Sequence, residues 1–128
     1  MDNVRIEPLG NGRILRAQLN THGAYRSFIR IPLTAEVTRV RLNGVDADFR
    51  DTGPDDEGDN YVTLACQGRA CDGVNLEIAL GATPTDWAII GLTPRLAAPA
   101  QSIAAQRPPT RTAIHFGDDT VTLSSLRV

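Results

Sequence analysis

Short runs of alternating apolar and polar residues, each cut off by turn residues, limit this chain's fold more than any other feature. Arg13 to Leu19 can put Leu15, Ala17 and Leu19 on one side and Arg16 and Gln18 on the other. After Asn20-Thr21-His22-Gly23, the residues Ser27, Ile29 and Ile31 alternate with Arg26, Phe28 and Arg30. Pro32 ends that run or marks it as an edge, because proline donates no ladder hydrogen bond. Val40 and Leu42 alternate with Arg39 and Arg41 and lead into Asn43-Gly44, a pair suited to the two positive φ values of a type I′ hairpin turn. Val45 to Arg50 reads as the returning strand. A period of two is the mark of a half-buried strand, as a helix would repeat every 3.6 residues.

The same pattern continues after a break. Residues 51 to 60 are polar, acidic and rich in breakers, and read as a loop. Val62, Leu64 and Cys66 then share a face, opposite Tyr61, Thr63 and Ala65. Val74, Leu76, Ile78 and Leu80 alternate with Asn75, Glu77 and Ala79, the most regular run in the chain. Trp87 to Leu92 is apolar on both faces, as a central strand covered on both sides would be, and its tryptophan reads as core. Residues 94 to 112 are punctuated by prolines and read as a long loop or one to two helical turns over Gln101 to Gln106. Thr120 to Val128 closes the chain as a strand. About eight to ten short strands with no convincing three-turn helix predict an all-β fold, an antiparallel β-sandwich of Ig-like or jelly-roll-like type, ahead of a barrel.

A chain of 128 residues suits one domain with one core, so residues 1–128 are taken as a single β-sandwich. Met1 runs almost directly into strand-like sequence with no signal-peptide pattern, as a domain cut from a longer protein would. Lys and Arg total 13 against 15 Asp and Glu, a net charge of -2, so no global field draws the chain to nucleic acid. No apolar run approaches the roughly 20 residues that span a bilayer, which argues against direct membrane insertion.

Cys66 and Cys71 flank Gln67-Gly68-Arg69-Ala70, a turn-like segment between two strand-like runs. Cysteines facing each other across a tight hairpin can reach disulfide geometry, and the expectation is a Cys66–Cys71 bridge. Free thiols and a zinc site are the alternatives, though structural zinc wants two further ligands at regular spacing. A disulfide implies a periplasmic or otherwise exoplasmic home.

Motifs for chemistry are missing. There is no G-x-S-x-G elbow, no H-E-x-x-H and no phosphate-binding loop, whose lysine this all-arginine chain lacks. His22 and His115 both fall at turns, where a solvated histidine needs no further role. The expectation is therefore a chain with no catalytic residue and no cofactor of its own. Asp51, Asp55, Asp56, Glu57 and Asp59 could supply oxygen ligands to calcium, although their spacing does not match the EF-hand loop. Arg26 and Arg30 flank Phe28 on one strand face, and Arg39 and Arg41 lie on another. If those strands are neighbours, an aromatic residue sits within an arginine patch, the composition favoured at interface cores.

Three stretches carry a resemblance. They are Val40-Arg41-Leu42-Asn43-Gly44-Val45, the Cys66 to Gly73 segment and Asp86-Trp87-Ala88-Ile89-Ile90-Gly91-Leu92, followed in order by the proline-punctuated alanine segment and Val121 to Val128. Together they resemble the C-terminal region of bacterial membrane-anchored zinc aminopeptidases, metallopeptidase family M twenty-eight. The resemblance implies an exoplasmic, non-catalytic accessory domain whose partner is the catalytic domain of the same polypeptide. Zinc would belong to that peptidase domain, and none of its ligands maps onto this chain. A carbohydrate- or ligand-binding sandwich, with calcium at residues 51 to 59, is the alternative.

Overall fold

The computed structural model describes residues 1–49, 51–54, 60–93 and 120–128, with side chains for all of these except 51–54 and 60. Ten strands lie among the described residues: β1 (Asp2–Leu9), β2 (Gly12–Gln18), β3 (Arg26–Pro32), β4 (Arg39–Leu42), β5 (Val45–Ala47), β6 (Asp51–Pro54), β7 (Asn60–Gln67), β8 (Asn75–Leu80), β9 (Asp86–Thr93) and β10 (Thr120–Arg127). They form two antiparallel sheets packed as a sandwich. The first sheet runs β1-β2-β8-β4-β5 and the second β10-β9-β3-β7-β6. The all-β sandwich read from the alternation is the fold of this chain.

Alternation decides which residues meet between the sheets. From the first sheet come Leu15 and Ala17 of β2, Val40 of β4, and Leu76, Ile78 and Leu80 of β8; the second contributes Ile29 and Ile31 of β3, Val62 of β7 and Trp87 of β9. Leu15, Ile31 and Ile78 are fully buried. Removing such side chains from water is worth roughly 1.5–3 kcal/mol each and is the main reason the two sheets stay together. Trp87 is buried as core, and its indole N–H donates to Thr85 Oγ1 at 2.9 Å, so its polar atom is satisfied. The Asn43-Gly44 turn also forms as read. Asn43 has φ 50° and Gly44 φ 80°, and Leu42 pairs with Val45 across it.

Several readings need correction. The cysteine segment is not a hairpin, because β7 belongs to the second sheet and β8 to the first. Gln67 is followed by a 3-10 turn over Gly68–Cys71, and the chain crosses between layers there. Arg39 and Arg41 on β4 are not neighbours of Arg26, Phe28 and Arg30 on β3, since the two strands lie in opposite sheets. Residues 51 to 54 are a strand rather than loop, with Asp51 opposite Val62 and Pro54 opposite Asn60 in an irregular register. Pairing with β7 overrides the breaker composition there, at the sheet edge where proline is tolerated. The returning strand after the Asn-Gly turn is short, ending at Ala47. Pro32 ends β3, which is the central strand of its sheet. β9 lies beside β3 rather than at the centre, and apart from Trp87 its apolar residues are only half-buried. Arg50, Asp55, Asp56, Glu57, Asp59, His115 and the whole of 94–119 lie outside the described residues.

Candidate functional site

Two features of the second sheet stand out, one on each of its faces. Its inner face loses volume row by row. Leu126 opposes Trp87, next to Ile31, and this row is filled by large side chains. The next row reads Leu64, Ile29, Ile89 and Ser124, and the last Cys66, Ser27, Gly91 and Thr122. Shrinking side chains at one end of a sandwich leave space that the facing sheet does not fill. The result is a cleft of about 400 Å³. Its floor is Ile29, Leu64, Ile89 and the disulfide, and its sides include Met1, Val4, Leu19 and Leu126.

The mouth of the cleft is the loop between β2 and β3, where Asn20, Thr21 and His22 are held by two carboxylates. Asp2 Oδ2 accepts from Asn20 Nδ2 at 2.6 Å, and its Oδ1 lies 3.1 Å from His22 Nε2. Asp72 Oδ1 accepts from both the backbone N–H of Thr21 at 2.7 Å and the Thr21 hydroxyl at 2.8 Å. These bonds favour the charged forms. The amide of Asn20 chiefly, and His22 after it, lower the Asp2 carboxyl from its usual value. For Asp72 the backbone N–H of Thr21 is the main cause of a similar lowering, followed by the Thr21 hydroxyl.

Asp72 stands next to Cys71, so the disulfide fixes the turn that carries the clamp. The Cα atoms of Cys66 and Cys71 are 6.0 Å apart. Gly68 N donates to Tyr25 O at 2.7 Å, and Gly73 N donates to Leu19 O at 2.8 Å. The bridge expected from the sequence is present, and it ties a layer crossing to the loop at the cleft mouth. Gly91 matters at the cleft's far side. A Cβ there would meet Thr122 Oγ1 at 2.7 Å, whereas the glycine lets that hydroxyl donate to Gly91 O at 3.3 Å.

The outer face of the second sheet carries Phe28 between Arg26 and Arg30. Phe28 lies between Ala65 and Ile90, while Leu123 opposes Ile90 and Val121 opposes Leu92. Val121 and Leu123 are 62% and 72% exposed. The Arg26 guanidinium lies 5.2 Å from the centre of the Phe28 ring and that of Arg30 5.1 Å from Tyr61, within cation–π range. The buried Nε of Arg26 makes no hydrogen bond among the described residues. The outer face of the first sheet differs in kind. There Arg16 bridges Glu7 and Glu77, and Arg41 pairs with Asp46 at 2.7 Å. Arg41 is thus part of a solvated charge ladder, with Arg39 exposed beside it on the same strand.

Of the suggested calcium ligands, Asp51 lies on β6 with its side chain undescribed, and the other four fall outside the described residues. Among the described residues, no group of three or more His, Cys, Asp or Glu side chains comes together as a metal site, and no helix is long and apolar enough to cross a membrane. The cleft was missed in the sequence, although Ser27, Gly91, Thr122 and Ser124 sit at inward-facing register positions. Comparison with protein-family models, curated proteins and solved structures gave no match.

Proposed function

We propose that this chain is a non-catalytic, exoplasmic accessory domain of a membrane-anchored zinc metallopeptidase, docking on the catalytic domain through the outer face of the second sheet. The asymmetry of the two outer faces carries this reading. One face is a solvated ladder of opposite charges around Arg16 and Arg41. The other sets Phe28, Ile90, Leu92, Val121 and Leu123 beside two arginines within cation–π range of aromatic rings. Aromatic and arginine side chains gain most from an interface core, because their apolar bodies are desolvated while the guanidinium keeps directional donors. The disulfide supports an oxidising compartment. The order of the three family-like stretches supports the peptidase as parent. Zinc in this scheme is held by the peptidase domain.

The test begins at the gene. The open reading frame around this segment is expected to continue into membrane helices and a peptidase domain bearing zinc ligands. The purified chain is expected to show no aminopeptidase activity on leucyl p-nitroanilide, with or without zinc. A reading frame encoding this segment without any peptidase domain would overturn the proposal, as would zinc-dependent hydrolysis by the chain alone.

A further inference from the structure

The inner cleft lies on the opposite face of the second sheet from the docking surface, and its chemistry points to a different occupant. We propose that it is a binding site for an uncharged amphipathic small molecule, with a linear apolar tail and a hydroxyl or amide head. Its volume of about 400 Å³ falls within the range of small-molecule sites. The floor of Ile29, Leu64, Ile89 and the disulfide offers an apolar bed for the tail. Ser27 and Ser124 open into the same space from adjacent rows, and neither hydroxyl is engaged by a described residue. They give a head group two partners that can each donate or accept.

His22 is the one ionisable side chain among the described lining residues, and its Nε2 already faces Asp2 Oδ1 at 3.1 Å, so the lining side chains select against ions. Asp2 and Asp72, the carboxylates at the mouth, are already committed to Asn20, His22 and Thr21. A charged head would lose hydration without gaining a counter-ion, whereas a hydroxyl or amide exchanges one hydrogen bond for another. The mouth is also set in advance. The clamps on residues 20 to 22, and the disulfide behind them, mean that binding does not have to order that loop.

The experiment follows amide resonances of the 128-residue chain during titration with n-butanol, n-hexanol and n-octanol, with octanoate as the charged control. Saturable shifts are expected at residues 19–22, 27, 64, 89–91 and 122–126, tightening about fourfold per added methylene as apolar area is buried. Octanoate is expected to bind at least about tenfold more weakly than n-octanol, the cost of a desolvated carboxylate. Ser124→Leu, which fills the cleft from β10, should fold, keep or raise the melting temperature and abolish these shifts. Should that variant fail to fold, Ser27→Leu fills the same space from β3 and is read the same way. Shifts that never saturate, shifts centred elsewhere, or undiminished binding in the folded filled variant would overturn the proposal. Equal binding of octanoate would overturn it too. Binding of an acetyl-leucine amide with none of n-octanol would replace the small amphiphile with a peptide side chain and overturn it likewise.

Discussion

At the scale of single residues, the described ionisable groups with lowered pKa values stabilise a loop. Asp72 and Asp2 both hold the β2–β3 connection, and both are held below the usual carboxylate value by the bonds they accept. A carboxyl with a depressed folded-state pKa contributes stability that is present above its unfolded pKa and lost as pH falls through the folded one. Stability should therefore be level near neutral pH and decline below about pH 4, the unfolded value of an aspartate. Asp72→Asn should flatten that decline and lower the melting temperature at pH 7, as thermal melts across pH would show. The readable part of this site was Asn20 to Gly23, whose composition announces a turn. That Asp72 would reach Thr21 was not readable, because the bond joins positions 51 apart in sequence and depends on how the sheets stack.

At the scale of elements, alternation was enough to find β2, β3, β4 and β8, since each keeps one apolar face against the core. Composition misled at β6, where Asp51 to Pro54 looks like loop until β7 offers its backbone as a partner. It also misled at the cysteines. Two strand-like runs around a turn look like a hairpin in sequence, and only the sheet assignment of β8 shows a crossing between layers. The bridge should still matter. Closing so short a loop contributes on the order of 2 kcal/mol in the chain-entropy model. A Cys66→Ser, Cys71→Ser double variant should then melt on the order of 6–10 °C lower, measured against the oxidised chain. The amide of Thr21 should exchange faster with solvent in the same variant, because the turn carrying Asp72 is released. Gly44 makes a second element-level prediction. Its φ of 80° is strained for any residue with a Cβ, so Gly44→Ala should cost about 1–2 kcal/mol in denaturant melts.

For the molecule as a whole, the two proposals give the two faces of the second sheet different work, docking outside and ligand binding inside. The arginine and aromatic residues of β3 were legible in the sequence as a potential interface. Their separation from Arg39 and Arg41 was not, because strand neighbours are set by topology rather than by chain order. The inner cleft was missed for a related reason: an inward serine is unremarkable alone and becomes a cavity only when Gly91, Thr122 and Ser124 line up beside it. The central claim, that the outer face of the second sheet is the docking surface, is tested most directly by calorimetric titration of the chain into the peptidase domain that the proposal places in the same reading frame. Phe28→Asp should weaken binding by about tenfold or more, as loss of a buried aromatic anchor does. Arg41→Glu, on the opposite sheet, should leave it within about twofold, because an exposed ion pair is worth little. The reverse order of effects, or no measurable association with the unaltered chain, would contradict the account.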